Sequence, residues 1–342
     1  MRQIQLVEEG RVECQEVDLP VPKEKEVLIR INNVGVCGTD ISAYHGMHPY
    51  IRPPIVLGHE FSGTITALGD KVKSLRQGMR VTVLPHLGCG ECVPCKERRY
   101  NHCEKLKCIG CQSPGAFAQY LAVPDYTVFQ LPGSISFEQG AMVEPASVGY
   151  HGMMKGMPRG SNVVIVGAGP IGIFALQAAR TLGAKKVAIA DIKAERLSLA
   201  KALTEFPVMN LAEATLDDAV DRVFGGSKNV DLYCDCVGGD GRAIESIIRT
   251  ARRGSRIVCI GILRKENEIP HLPDIVEHEL AITGSSMYVP KDFSDVLTLM
   301  SKGMISTKGL ITHRFRLEEI PEMYRKIESN QMPYLKIMID VE

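Results

Sequence analysis

The spacing of hydrophobic positions changes at about residue 160. Before this point, short β-branched runs alternate with Gly, Pro and Asp, as in EVLIRINNVGV, GTITAL, GMRVTVLP and FAQYLAVP, which predicts strands joined by turns. After it, the apolar runs SNVVIVGAG, KKVAIAD, VDLYCDCVG and SRIVCIG are separated by helical stretches such as PIGIFALQAARTLG and AERLSLAKALTEF. The pattern predicts an irregular β-rich unit over about residues 1–150, followed by βαβ units that build a parallel sheet.

The C-terminal region repeats neither pattern for long. A strand, ELAITGSS, precedes the helical stretch PKDFSDVLTLMSKGMI, and LKIMIDV is the last predicted strand. This tail is too short to form a domain of its own. We find no internal repeat, low-complexity tract or long linker.

Composition and charge narrow the class of protein. The chain has 342 residues, of which 45% are hydrophobic and 23% charged, typical of a soluble protein of about two domains. Lys plus Arg equals Asp plus Glu at 40 each, so no net field favours nucleic acid or a membrane surface. The N-terminus lacks the apolar run of a signal peptide, and no segment has the roughly 20 apolar residues of a membrane span. We therefore expect a cytoplasmic protein whose eleven cysteines bind metal or pack rather than form disulfides.

Four cysteines fall within the stretch CGECVPCKERRYNHC. The set is Cys89, Cys92, Cys95 and Cys103. Their spacing allows four thiolates to bind one zinc ion tetrahedrally, which leaves no open position and indicates a structural site. Two alternatives are scattered reduced thiols and a zinc module that grips nucleic acid through the basic stretch KERRYNHCEKLK, although no further basic stripe or stacking aromatics accompany it. Cys108 and Cys111 form an extra CxxC, which we interpret as packing or reserve thiols.

The stretch VVIVGAGPIG predicts a dinucleotide site. An apolar strand runs into Gly167, Gly169 and Gly172 at the start of a helix. The glycines allow a tight turn and close approach of a pyrophosphate to the helix N-terminus. Asp191 stands nineteen residues after Gly172, at the end of the next strand. A carboxylate there binds the ribose hydroxyls and repels a 2′-phosphate, which favours NAD over NADP.

A second set of metal-binding residue types lies in CGTD, GHEFSG and EPASVGYH. Cys37, His59, Glu60 and Glu144 supply one thiolate, one imidazole and two carboxylates. Such a set can bind zinc and leave a position for water or substrate. Taken singly, each of these residues is more often packed or solvated than a ligand, so the prediction depends on their combination.

These motifs together resemble the zinc-dependent medium-chain alcohol dehydrogenases along nearly the full chain. The stretch EPASVGYH is most similar to the branch of sorbitol and related polyol, sugar-phosphate and sugar-acid dehydrogenases, in which glutamate replaces a third-ligand cysteine. The resemblance implies an α/β protein with a GroES-like β-rich catalytic domain, formed by residues 1–150 and 287–342. It places a structural zinc lobe at 86–111 and a doubly wound Rossmann domain with a parallel sheet at 151–286.

The resemblance also implies roles for individual residues. Cys37 and His59 would bind the catalytic zinc, while Glu60 and Glu144 would share the carboxylate role, directly or through a water. Thr39 would relay the alcohol proton. Ile171, Asp191, Arg196, Ile260, Gly261 and Ile262 would line the dinucleotide together with the glycines. The substrate-pocket candidates are Tyr44, His45, His48 and Tyr288.

The expected activity is NAD-dependent oxidation of a secondary hydroxyl on a polyol, sugar alcohol or sugar derivative, with two zinc ions per chain in a homodimer or homotetramer. Two departures from the family pattern bear on this expectation: Ser42 replaces a histidine of the proton relay, and Met287 replaces a polyol-binding arginine. The alternatives are oxidation of 2,3-butanediol or threonine, and a sensor or structural protein that binds nucleotide without catalysis.

Overall fold

The structure, a computed structural model, describes residues 1–203, 205–263 and 272–341. It divides into two compact units. Unit 1 comprises Met1–Glu144, Val289–Ser301 and the chain from Leu310 onward, whereas unit 2 comprises Pro145–Tyr288 and Lys302–Gly309. Unit 1 is therefore assembled from three separate stretches of sequence.

The described strands and helices follow in chain order. The strands are β1 (Arg2–Glu8), β2 (Arg11–Glu16), β3 (Glu26–Val36), β4 (Ile55–Val56), β5 (Glu60–Leu68), β6 (Arg80–Val83), β7 (His86–Leu87), β8 (Lys107–Cys108), β9 (Tyr120–Pro124), β10 (Val128–Gln130), β11 (Asn162–Val166), β12 (Lys186–Asp191), β13 (Val208–Asn210), β14 (Leu232–Asp235), β15 (Arg256–Cys259), β16 (Ala281–Gly284), β17 (Ile311–Arg316) and β18 (Lys336–Asp340). The α-helices are α1 (Gly38–Tyr44), α2 (Val93–Lys96), α3 (Phe137–Ala141), α4 (Val143–Gly156), α5 (Pro170–Thr181), α6 (Ala194–Leu203), α7 (Leu216–Phe224), α8 (Arg242–Thr250), α9 (Leu272–Glu277), α10 (Pro290–Ser301) and α11 (Ile320–Glu328). Short 3-10 helices cover Tyr100–His102, Asp125–Thr127, Ser227–Asn229 and Leu317–Glu319.

Unit 1 is built around β3, which covers the same eleven residues as the predicted strand EVLIRINNVGV. The main sheet has the order β10-β6-β5-β3-β18-β17, and β9 also pairs with β3. Val27, Ile29 and Ile31 of β3 alternate into the core and are almost fully buried, as expected for strand residues two apart. The C-terminal strand β18 pairs antiparallel with β3, which explains why the short tail forms no domain of its own.

Unit 2 contains a six-stranded sheet of order β13-β12-β11-β14-β15-β16, in which every neighbouring pair is parallel. The predicted βαβ alternation is therefore confirmed. β12 pairs with one side of β11 and β14 with the other. In such sheets the carboxyl ends of the strands at this reversal of order form the ligand-binding crevice.

Candidate metal and dinucleotide sites

Three predicted metal-binding side chains come together in unit 1. The ligand atoms of Cys37, His59 and Glu60 all lie within 4.8 Å of one another. Cys37 follows β3 and caps α1, while Glu60 begins β5 directly after His59. Because Gly35 of β3 pairs with Glu60 of β5, the sheet register brings the two segments together. A thiolate, an imidazole and a carboxylate at this spacing fit a zinc ion that keeps one position open.

A buried aspartate connects two of these ligand segments. Oδ2 of Asp40 accepts a hydrogen bond from Cys37 N at 2.8 Å, and Oδ1 accepts one from Gly58 N at 3.1 Å. The same Oδ1 lies 3.7 Å from Nδ1 of His59. Burial raises the pKa of Asp40 to about 6, although the attraction of His59 opposes this shift. The sequence analysis did not single out Asp40, although it closes the CGTD motif only three residues after Cys37.

A buried lysine pairs with the carboxylate of the group. Nζ of Lys336 on β18 lies 2.6 Å from Oε1 of Glu60, contacts Oε2 as well, and donates to the carbonyl of Val36 at 2.9 Å. Burial disfavours the charged ammonium, but the attraction of Glu60 and Cys37 outweighs burial, and the pKa of Lys336 is raised. Sequence reasoning missed this residue because nothing in LKIMIDV indicates which strand lies beside it.

Glu144 lies outside the group of three mutually close ligand atoms in the described chain. It is buried, and its charge acts on the ammonium of Lys336. Of the two carboxylates predicted to share one role, the structure therefore places Glu60 with Cys37 and His59.

The extra CxxC lies beside this group. The thiol of Cys111 interacts with the ring of His59 and with the thiol of Cys108. Hydrogen bonding from Cys108, supported by His59, lowers the pKa of Cys111 to about 5 against the opposing effect of burial. Neither thiol belongs to the four-cysteine group. Because Cys111 interacts with His59, it borders the group formed by Cys37, His59 and Glu60.

The four cysteines of the lobe form a second metal-binding group. The sulfurs of Cys89, Cys92, Cys95 and Cys103 lie within 4.8 Å of one another. Backbone N–H groups of Cys89 and Lys105 point at Sγ of Cys103 at 3.3 and 3.4 Å. All four cysteines are free. This arrangement fits a closed structural zinc site of four thiolates.

The predicted pocket residues lie in different surroundings. The rings of Tyr44 and Tyr324 stack 4.1 Å apart in the core of unit 1, and Nδ1 of His45 lies 3.9 Å from Oε1 of Glu328. Nδ1 of His48 accepts a hydrogen bond from Tyr50 N at 3.3 Å. Burial, together with the charges of His59 and Arg52, lowers the pKa of His48, although Cys111 opposes this shift.

Two further predicted site residues are Thr39 and Tyr288. Thr39 is half-buried two residues after Cys37 on α1. Tyr288 is fully buried and falls in unit 2. Among the predicted pocket residues, His48 therefore has the clearest electrostatic link to the metal group.

The glycine loop of unit 2 has the backbone that its sequence predicts. Gly167 follows β11 with φ +105, and Gly169 caps the N-terminus of α5. A Cβ on Gly172 would stand 1.8 Å from the carbonyl oxygen of Gly167. The third glycine is therefore required for close helix–strand packing, and the free N-terminus of α5 offers N–H groups to an anion.

Asp191 ends the next strand, β12, and supports this loop. Its Oδ2 accepts a hydrogen bond from Ala168 N at 2.7 Å, and its Oδ1 accepts one from Lys193 N at 2.9 Å. Nη1 of Arg196 lies 3.7 Å from Oδ2. Ile262, predicted to line the dinucleotide, follows β15 and is 72% exposed. Its side chain therefore presents an apolar surface that a bound ligand would cover.

Family models match both halves of the chain. Residues 23–133 match the alcohol dehydrogenase GroES-like domain, and residues 170–302 match the zinc-binding dehydrogenase domain. An L-galactonate-5-dehydrogenase of Escherichia coli K12 is 33% identical, and the alignment covers 94% of each chain. The chain belongs to the zinc-dependent alcohol dehydrogenases. It is therefore an oxidoreductase.

Other known proteins are similar to this dehydrogenase in sequence and in fold. Sorbitol dehydrogenase of Bacillus subtilis is 33% identical over 94% of this chain and 92% of its own. A short chain alcohol dehydrogenase of Escherichia coli CFT073, solved with NADH, has a TM-score of 0.91 at 30% identity, with 99% of each chain covered. A zinc-binding dehydrogenase of Sinorhizobium meliloti 1021, solved with NADP, has a TM-score of 0.89 at 28% identity, covering 99% and 98%. Within the described residues of this dehydrogenase, no helix is both long and apolar enough to span a bilayer.

Proposed function

We propose that this dehydrogenase oxidises a secondary hydroxyl group of a polyol, sugar alcohol or sugar derivative to a ketone and transfers the hydride to NAD. The observation that carries the proposal is the convergence of Cys37, His59 and Glu60 within 4.8 Å. The names of the relatives, which include an L-galactonate dehydrogenase and a sorbitol dehydrogenase, support the substrate class.

Cys37, His59 and Glu60 would hold the catalytic zinc, while the charge of Glu144 acts on Lys336, the partner of Glu60. A zinc ion bound there would act as a Lewis acid on the oxygen of the substrate hydroxyl. The charge of Asp40 faces Nδ1 of His59 at 3.7 Å, and Lys336 pairs with the carboxylate of Glu60. Both partners restrict the side chains to one geometry, which is the usual contribution of groups behind metal ligands.

Proton transfer would begin at the hydroxyl of Thr39. Because position 42 is a serine on the same helix, the next acceptor must come from elsewhere. His48 fits this role, since its ring is half-buried and electrostatically coupled to His59. Its Nδ1 accepts from Tyr50 N, so Nε2 carries the proton of the neutral ring. To take up the relayed proton, Nδ1 must therefore release the hydrogen bond from Tyr50 N.

The dinucleotide would bind at Gly167, Gly169 and Gly172, with Asp191 at the adenosine ribose. A bound nicotinamide ring would accept the hydride. Asp191 favours NAD because its carboxylate repels a 2′-phosphate. We expect Asp191→Ser to reduce the preference of kcat/KM for NAD over NADP. Asp217→Ser, an exposed site on α7, is a control that should leave the preference unchanged.

The resemblance to this family also supports a proposal on the domains, the assembly and the compartment. We propose that residues 1–150 and 287–342 serve catalysis, that residues 151–286 bind the dinucleotide, and that lobe 86–111 holds the structural zinc. We also propose that the protein is a homodimer or homotetramer in the cytoplasm. Size-exclusion chromatography with light scattering tests the assembly.

A substrate panel tests the proposed reaction. The zinc-loaded protein is assayed for NAD reduction with sorbitol, galactonate, a sugar-alcohol phosphate, 2,3-butanediol and threonine. The largest kcat/KM should fall on one of the first three. A largest value on butanediol or threonine would overturn the substrate class, whereas metal-loaded protein that binds NADH and oxidises none of them would favour a sensor.

A further inference from the structure

Two thiols at the carboxyl edge of the parallel sheet belong to neither metal-binding group. Sγ of Cys234 and Sγ of Cys236 lie 3.6 Å apart. Residues two apart on a strand point to the same face, which explains why the thiols meet. Cys234 is fully buried within β14, whereas Cys236 directly follows the strand and is partly accessible. The dehydrogenase reaction uses neither thiol.

We propose that Cys234 and Cys236 form a site of reversible oxidation by hydrogen peroxide. The sulfur of Cys236, which is the more accessible, attacks the O–O bond, becomes a sulfenic acid and releases one water. The thiol of Cys234 then attacks this sulfur, and a second water leaves as the disulfide forms. Two thiols and one peroxide thus give one disulfide and two waters. The sulfurs must approach from 3.6 Å to a bond length of about 2.05 Å.

Closure of this bond should move Cys236 rather than Cys234. Cys234 is held in the middle of the sheet, opposite Ile165 of β11 and Val258 of β15. Cys236 lies beyond the strand, and its N–H donates to the carbonyl of Val166 at 2.8 Å. The movement therefore falls on the segment that follows β14.

This segment lies against the first glycine of the dinucleotide loop. A Cβ on Gly167 would stand 3.2 Å from the carbonyl carbon of Cys236 and 2.9 Å from Cγ2 of Val237. Displacement of Cys236 therefore changes the surroundings of Gly167. We infer that the disulfide weakens dinucleotide binding, a consequence that rests on the proposed function.

Cys259 offers a matched control on the neighbouring strand. It ends β15, pairs with Asp235 and is partly buried. Burial, with a contribution from the charge of Asp235, raises the pKa of Cys259 to about 11. The pKa of Cys234 is raised as well, by its hydrogen bond with Cys236 and by burial, so the 3.6 Å approach to Cys236, and not acidity, distinguishes Cys234 from Cys259.

Peptide mapping tests the proposal directly. Trypsin should release residues 229–242, NVDLYCDCVGGDGR, which contain Cys234 and Cys236 and no other cysteine. After brief treatment of the zinc-loaded protein with hydrogen peroxide and alkylation of free thiols, this peptide should appear unalkylated and lighter by two hydrogens. Dithiothreitol before alkylation should restore the doubly alkylated form. The Kd for NADH of the oxidised protein should rise about tenfold, which corresponds to about 1.4 kcal/mol.

Two variants separate this site from the other thiols. Cys259→Ser should form the linked peptide and lose NADH affinity as the natural chain does. Cys234→Ser should form no linked peptide and keep its NADH affinity after peroxide, although the zinc-binding cysteines remain. Two alkylated cysteines in the peptide after peroxide would overturn the site, and a linked peptide with unchanged NADH affinity would overturn its effect. If the untreated protein bound no NADH, the proposed function would fail, while the peptide mass would still decide on the thiol pair.

Discussion

The ammonium of Lys336 lies 2.6 Å from Oε1 of Glu60, and both side chains are almost fully buried. The two residues are 276 positions apart in sequence and lie on strands that both pair with β3. A buried ion pair of this kind is costly to form and costlier to break, because removal of one partner leaves an uncompensated charge. Lys336 therefore links the C-terminal strand to the metal group.

Replacement of Lys336 tests this link. We expect Lys336→Met to lower the free energy of unfolding by about 3–5 kcal/mol, because the carboxylate of Glu60 loses its partner in a buried site. Urea unfolding followed by circular dichroism measures the change. Lys326→Met, which breaks an exposed pair with Glu322, should have little effect. Equal losses in both variants would contradict a special role for the buried pair.

Gly35 leaves the space in which this ion pair forms. A Cβ at Gly35 would lie 2.2 Å from Oε2 of Glu60 and 3.2 Å from Cε of Lys336. We expect Gly35→Ala to displace the carboxylate, to lower stability by about 1–3 kcal/mol and to reduce bound zinc. The urea midpoint and zinc per chain give the result. Gly133→Ala, where a Cβ meets nothing within 4 Å, is the control, and unchanged zinc in Gly35→Ala would argue against the packing described.

Asp40 should affect metal affinity without binding the metal. Asp40→Asn removes the negative charge that faces His59, and we expect the zinc affinity of this site to fall about 10–100-fold. Competition with a chromophoric chelator measures the affinity. The exposed substitution Asp70→Asn should leave the affinity unchanged. Asn offers one acceptor oxygen and therefore keeps only one of the hydrogen bonds from Cys37 N and Gly58 N. An unchanged affinity in Asp40→Asn would mean that the metal group needs neither the charge of Asp40 nor its second hydrogen bond.

The cysteine lobe should hold its own zinc ion. We expect Cys95→Ser to lower bound zinc from two ions per chain to one, because a closed site of four thiolates depends on each of them. Elemental analysis of the purified protein measures the ratio. Cys14→Ser, an exposed cysteine outside both groups, should retain both ions. Two ions in Cys95→Ser would contradict the prediction that the lobe needs all four thiolates to hold zinc.

Much of the architecture could be predicted from local patterns. The strand EVLIRINNVGV, the parallel sheet and the glycine loop before α5 all lie where periodicity and turn residues placed them. The spacing of the four lobe cysteines was enough to predict that their sulfurs come together, since all four lie within fifteen residues and a short loop keeps them close. In each case the residues that determine the local structure lie near one another in the sequence.

The amino-acid sequence alone indicates which residue types could bind metal and dinucleotide, because thiolates, imidazoles and glycines keep the same chemistry wherever the chain places them. The fold, by contrast, places Glu60 with Cys37 and His59 and leaves Glu144 outside their group. It also pairs Lys336 with Glu60 and brings Cys111 to His59. These relationships depend on the register of β5 and β18 against β3 and on a loop that returns from the lobe. Register is set by the packing of whole sheet faces, which no single stretch of sequence encodes.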